Sequence, residues 1–167
     1  RPKFLPSLRF ISDFNEINVR TYIDNDNKKG VYFLSIEAGK SISAFVAKAL
    51  SGLPYEKSKI CRTDNMYNAQ NRRKGSILHV EFAVQEELEN KIELDKWLTE
   101  RYCLYLSKGK ELYRYDIHHK EWELKSVKIK RLRVNYKIGD INLAESHPNL
   151  THYSDGIKVI AWKRQKI

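Results

Sequence analysis

The chain has 167 residues, 41% of them apolar and 31% charged; that size and balance suit one folded domain with its own core and exclude a disordered or fibrous chain. Its 31 basic and 21 acidic residues give a formal net charge of +10, which admits polyanions and anionic surfaces as partners. No apolar run approaches the roughly 18 residues that span a bilayer, so no membrane partner is expected.

The charge is uneven. Residues 1–100 carry 16 basic and 14 acidic side chains, whereas residues 101–167 carry 15 and 7. Much of the excess lies in "KSVKIKRLRVNYK" (125–137), with Lys128, Lys130, Arg131 and Arg133 at its centre. Such a stripe could meet phosphate backbones or anionic membranes; the plainer alternative is a solvated element face, since no nucleic-acid motif accompanies it. Cys61 and Cys103 have no metal-type spacing and make no disulfide framework. Reduced thiols and a cytoplasmic location are the simplest reading. The chain opens at Arg1 without methionine, which leaves room for an upstream segment.

In chain order, "EINVRTYID" (16–24) alternates with period two. Ile17, Val19, Thr21 and Ile23 share one face, and Asn18, Arg20, Tyr22 and Asp24 the other. "NDNKKG" (25–30) is a turn cluster and "VYFLSIEA" (31–38) the returning strand. "SISAFVAKALSG" (41–52) changes period: Ile42, Phe45, Val46, Ala49 and Leu50 form one helical stripe. Ser41 suits its cap, Gly52 its left-handed close, and Pro54 blocks continuation.

Strands are expected at "YEKSKICR" (55–62) and "SILHVEFAV" (76–84) around a polar connection, "TDNMYNAQNRRKG". In the second, Leu78, Val80, Phe82 and Val84 are expected to face the core. "QEELENKIELDKWLTER" (85–101) reads as a short helix, acidic at its start, with Leu94, Trp97 and Leu98 at helical spacing and Arg101 favouring its negative end. "YCLYLSKGKELYRYDIHH" (102–119) is a second hairpin turning at "KGK", and "WELKSVKIK" continues as a strand. Beyond it, Ile129, Leu132, Arg133 and Tyr136 have helical spacing while Leu132, Val134 and Tyr136 alternate, so either element fits. "ESHPNL" is a loop and "GIKVIAWKR" (156–164) a closing strand. With no repeat or linker, the pattern is one mostly-β α+β domain over 1–167. It has seven or eight strands, two or three short helices and a curled, largely antiparallel sheet that could close into a barrel.

Several residues could carry chemistry. Arg20 shares a strand face with Asn18 and Tyr22, and a buried guanidinium there needs a carboxylate or an anionic ligand; Glu100 is the natural protein partner. His118 and His119 are adjacent on a strand, so they point to opposite faces. One of them with His152 and Glu100 would supply a zinc shell, but no HExxH or CxxC spacing supports a metal. An inward histidine beside Glu100 is the better general acid–base candidate. Cys103, between Tyr102 and Leu104, reads as a small core residue rather than a nucleophile. Lys57 and Lys59 would act as amine nucleophiles only if burial lowered their pKa. GxSxG, P-loop and GxGxxG patterns are absent, and no cofactor is called for.

Taken together, "NVRTY", "GVYFLSIEA", "GLPY", "LTERYCLY", "LYRYDIHHKEW" and "HYSDGIKVIAW" resemble the YqjF-like bacterial proteins of unassigned function, in order and spacing along nearly the whole chain. That family is similar in fold to acetoacetate decarboxylase, a barrel-like enzyme working through a lysine Schiff base. The resemblance implies a cavity within a curved, mixed sheet closed into a barrel. Paired lysines follow a proline in the decarboxylase, whereas here Pro54 precedes Tyr55 and Glu56, with lysine only at Lys57; Schiff-base decarboxylation is therefore not expected. Family members also carry a segment before the "NVRTY" strand. Were that segment truly absent, the open edge would invite pairing with another copy, hence a homo-oligomer; the preferred expectation is that it exists upstream of Arg1 and supplies part of the pocket wall.

Three functions follow. The first is a pocket protein in which a small organic anion meets Arg20 or Arg101. Tyr22, Tyr55, Tyr102, Trp122 and His152 would line that pocket, and Glu100 with His118 or His119 would be available for acid–base chemistry. The second is nucleic-acid or anionic-surface binding through 125–137. The third is an accessory role without ligand. The most specific expectation is an inward Arg20–Glu100 pair with the site built around it.

Overall fold

The computed structural model describes residues 14–40, 52–144 and 147–167. Strands β1 (Glu16–Asn25) and β2 (Lys28–Ala38) form the expected hairpin. Its turn is only Asp26–Asn27, with φ of 52° and 60°; two left-handed residues make the mirror-image turn whose twist matches the strands, and Asp and Asn tolerate it best after glycine. The register shifts between Val19 and Arg20, where Leu34 of β2 is the unpaired, bulged residue. Ile17 and Val19 are half-buried before it, but Tyr22 packs on the core after it while Thr21 is exposed. The extra residue lies in β2, so β1 keeps the two faces expected of 16–24, with Arg20 and Tyr22 on one of them.

The helix expected over 41–52 lies outside the described residues, although Gly52 has the left-handed φ of 76° expected of it. The single strand expected over 55–62 is two. β3 (Tyr55–Lys57) runs parallel to β2, and β4 (Lys59–Arg62) pairs antiparallel with β5 (Met66–Asn71). Between them the Ser58 amide donates to the Ala38 carbonyl (3.0 Å), so the chain changes sheets at one residue. β5 was hidden in the presumed polar connection because its alternation is polar on both sides: Asn68 and Gln70 are exposed, yet Asn71 is as buried as Ala69.

β6 (Ser76–Glu87) runs farther than expected, since its pairing continues to Glu87 and takes the start of the anticipated helix into the sheet. Helix α1 is only Glu93–Thr99. β7 (Cys103–Lys108) and β8 (Glu111–His118) form the second expected hairpin. The ambiguous stretch resolves as one long strand, β9 (Lys125–Ile138), held along its length by β6. β10 (Ile141–Ala144) and β11 (His152–Tyr153) pair with it; of the closing strand only β12 (Ile160–Ala161) forms, with β13 (Gln165–Lys166) beyond.

The strands make two sheets. One has seven strands along β1-β2-β7-β8-β12, with β3 on β2 and β13 on β8; the other has six along β10-β9-β6-β5-β4, with β11 on β9. Pairing is antiparallel except where β2 meets β3 and β7. Among the described residues neither sheet closes into a barrel. The core sits on the first sheet, where Val31, Ile36, Leu53, Leu104 and Leu106 are packed by Tyr22, Phe33, Tyr55, Tyr113, Tyr115 and Ile117. The apolar run of β2 suits this place, for a strand with neighbours on both sides and cover on its faces needs little alternation. β2 and β7 approach so closely at Gly30 that a Cβ there would lie 2.6 Å from the Cys103 carbonyl oxygen.

Where the sheets meet, Glu37 of β2 is 1% exposed. Its carboxylate accepts from Asn71 Nδ2 (3.0 Å) and the Tyr136 hydroxyl (3.1 Å), both on the second sheet. The Tyr67 hydroxyl crosses the other way, donating to the Glu16 carbonyl (2.8 Å). Burial and Glu37 hold the Tyr136 phenol well above its ordinary value. Burial also raises Tyr55 and Tyr67, each to about 12, with Glu16 contributing.

Two predictions follow from these contacts. Gly30→Ala drives a methyl into a backbone oxygen and is expected to cost about 1–3 kcal/mol, read by denaturant unfolding; an unchanged midpoint would contradict the close β2–β7 approach. Folding also raises the three phenol pKa values, so it favours their protonated forms. That stability is complete below the unfolded tyrosine value of 10.0 and is lost as pH climbs through about 12. Tyrosinate absorbance should show Tyr55, Tyr67 and Tyr136 titrating only as the fold melts, and Tyr136→Phe should weaken the alkaline transition.

Candidate anion site at the end of helix α1

Helix α1 is too short to stand alone, and both ends are tied down. At its start, Ile92 has no side-chain acceptor, but Asp95 Oδ2 accepts the Ile92 amide (2.9 Å), which is half of a capping box. The other Asp95 oxygen lies 2.8 Å from His152 Nε2 on β11. Asp95 is thus the buried residue of the helix (4% exposed), while Leu94 and Trp97 are 44% and 41% exposed. Of the residues at helical spacing, Leu94 and Trp97 are exposed and Leu98 is half-buried.

At its end, the Leu98 carbonyl accepts from Arg20 Nη2 (3.2 Å) and from the Tyr22 hydroxyl (3.1 Å), both on β1. Cationic and hydroxyl donors suit the negative helix terminus. The expected Arg20–Glu100 ion pair does not form among the described residues. Arg20 is taken by the helix carbonyl instead, and Glu100 is engaged elsewhere. It accepts from the Tyr102 hydroxyl (2.7 Å), the Thr99 hydroxyl (3.3 Å) and the Trp122 amide (3.2 Å). Glu100, Arg101 and Tyr102 lie in the link between α1 and β7 rather than on the strand, so strand alternation does not separate them.

Arg101 is the exceptional member. Its guanidinium carbon sits 4.7 Å from the Trp97 ring centre and 5.6 Å from that of Tyr22; Arg20 lies over the same tyrosine at 5.7 Å. Nη1 donates to the Glu100 carbonyl (3.1 Å), but Nε and Nη2 are buried with no hydrogen-bond partner. These two nitrogens form one edge of the guanidinium, the fork that takes a carboxylate or phosphate side-on. Burial pulls the Arg101 pKa below its ordinary value and Arg20 adds to this, against Tyr22 and Asp24. A guanidinium still remains charged, so its bare edge has an unmet need for an acceptor.

The remaining candidates fall into three places. His119 is buried, just past β8, and joins the site. Its ring stacks on Tyr102 (4.8 Å) and meets the edge of Trp122 (5.9 Å). Nδ1 lies 2.6 Å from the Lys120 carbonyl oxygen and Nε2 3.2 Å from that of Arg101. A neutral imidazole can donate to one of them and an imidazolium to both. His118 is exposed, as its neighbour's opposite orientation requires. Tyr55 packs on the first-sheet core, away from α1, and His152 holds the helix start. Burial, with Asp116 nearby, pushes the Cys103 thiol up, away from nucleophilic reactivity. Lys57 and Lys59 are exposed.

Beneath the 120–125 segment runs a groove of about 640 Å³ lined by Lys91, Lys96, Trp122 and Asp155; a second of about 340 Å³ holds His118, His119 and Lys158. No three metal-ligating side chains gather among the described residues, and no helix there is long and apolar enough to cross a membrane. Sequence reasoning missed Trp97, although it stands four residues before Arg101, the spacing at which helical side chains meet. It also missed Glu37, whose signal was a lone carboxylate inside an apolar run.

This is a mostly-β protein of two mixed and antiparallel sheets, with an arginine–aromatic cluster at a short helix end. The chain belongs to the DUF2071 family of uncharacterized conserved proteins, whose model matches residues 1–158. It is 32% identical over 176 residues to the uncharacterized protein YqjF of Bacillus subtilis (strain 168), in an alignment covering 99% of this chain and 72% of that relative.

Asp95 serves the helix cap and His152 at once. Asp95→Asn and His152→Gln should each destabilise the fold by about 1–3 kcal/mol. In a double-mutant cycle by thermal melting the two losses should not add; strict additivity would mean that the contact contributes nothing.

Proposed function

We propose that this protein binds a small organic anion, a carboxylate, at Arg101, with Arg20 as the second positive group and Tyr22 and Trp97 as the aromatic wall. One observation carries this reading: the buried Nε–Nη2 edge of Arg101 has no protein acceptor. A structural arginine in that position would be expected to meet a carboxylate, and Glu100, one residue away, is instead held by Tyr102 and Trp122. The acetoacetate decarboxylase-like barrel belongs to this proposal as the arrangement that would enclose the anion. Binding is favoured over catalysis. Lys57, Lys59 and His118 are solvated, and the His119 ring nitrogens both face backbone carbonyls.

The test is a fluorescence titration with short-chain keto and fatty acids, reading the tryptophan that stacks on Arg101. Arg101→Met should weaken binding by about 10- to 100-fold, the range for losing charged hydrogen bonds. Arg101→Lys, which keeps the charge but loses the fork, should fall between. If no carboxylate binds, or Arg101→Met binds as well as the parent, the accessory role without ligand is the better description.

A further inference from the structure

The sequence left the basic stretch 125–137 undecided between a binding stripe and a solvated face, and the sheet register now places it. On β9, Lys128, Lys130, Arg131, Arg133, Asn135 and Lys137 are exposed, while Ile129, Leu132, Val134 and Tyr136 turn the other way. A bulge at Glu81/Phe82 sets Lys130 between the two halves of the row. Across the strands, Arg131 is opposite Glu81 and Arg133 opposite His79; His79 is opposite Asn68, and Asn68 opposite Cys61. Gln70 and Lys59 extend the same face.

We propose that this outer face of the second sheet is a nucleic-acid docking surface that reads the phosphate backbone and not the bases. Alternate residues of a strand stand roughly 7 Å apart, so Arg131, Arg133 and Lys137 form an extended row of positive charge rather than a point. Beside it lie neutral hydrogen-bonding groups, Asn68, Gln70 and Asn135, which suit phosphate and sugar oxygens. Glu81 is the one acid among these paired positions, and it is engaged by His79 (2.9 Å) and Arg131 (3.8 Å). The partner chemistry follows from what the face lacks. Among the described residues it presents no aromatic side chain for base stacking. Its apolar members, Met66 and Ile77, are half-buried singly among polar neighbours, which gives lipid nothing to hold. This surface is distinct from the Arg101 site and does not depend on it.

Polarisation measurements with a labelled DNA duplex, and with an RNA duplex of the same length, test it. For about four phosphate contacts, the dissociation constant should rise on the order of 100-fold between about 50 and 200 mM salt. Duplexes of unrelated sequence should bind alike. Arg131→Gln with Arg133→Gln should weaken binding and flatten the logarithmic salt slope by about 2, whereas lysine at both positions should restore it. Should the glutamine pair lose its native circular dichroism, Lys130→Gln with Lys137→Gln reads the same slope. The proposal is overturned by no binding at low salt, by an unchanged slope in the glutamine variants, or by binding to phosphatidylserine vesicles in preference to duplex.

Discussion

Glu37 accepts hydrogen bonds from two strands of the opposite sheet, and it does so with almost no access to water. A carboxylate in that place is costly unless its lone pairs are met, so Asn71 and Tyr136 must arrive together, from β5 and β9. That requirement fixes how the second sheet sits against the end of β2. Ser58, which hands the chain from one sheet to the other and whose amide bonds the carbonyl of Ala38, next to Glu37, and Tyr67, which reaches back to Glu16, act at the same seam. Apolar packing alone would leave the sheets free to slide; paired polar groups at a seam specify one register.

Helix α1 is the second tie between the sheets, and the candidate site is a by-product of how it is tied. Its start is held by His152 from the second sheet and its end by Arg20 and Tyr22 from the first. Using Glu100 to hold Tyr102 and Trp122 removes the obvious counter-charge for Arg101, and the nearby Arg20 only adds positive charge. Two aromatic faces keep the guanidinium in place without neutralising its edge. Cation–π contacts of this kind contribute on the order of 1 kcal/mol, less than a buried fork requires.

Much of the strand pattern was legible because it depends on local alternation: the 16–38 and 102–119 hairpins and the 76–84 strand all form. Two misreadings share a cause. Asn71 and Asp95 are polar residues in buried positions, and each defeats a rule that equates apolar with inward. β6 claimed the first part of the expected helix because its partner β9 is long, which is tertiary pairing overriding a local acidic start. Of the expected site residues, Arg20, Tyr22, Glu100, Arg101, Tyr102, His119 and Trp122 lie near one another, while Tyr55 and His152 lie elsewhere. The expected Arg20–Glu100 pairing does not form, since whether Arg20 meets Glu100 or a helix carbonyl depends on where α1 ends against β1, which strand alternation does not reveal.

The parallel contact of β2 with β7 has a consequence for how the chain must fold. β1 and β2 can zip locally, but Val31 waits for Leu104, far along the chain, and closing so long a loop delays pairing. During synthesis the free side of β2 is therefore an unpaired, strongly apolar strand edge, the kind that recruits foreign strands. Gly30 stands at the point where β7 must finally close in, and the missing side chain there lets the last neighbour dock without displacing the hairpin already formed.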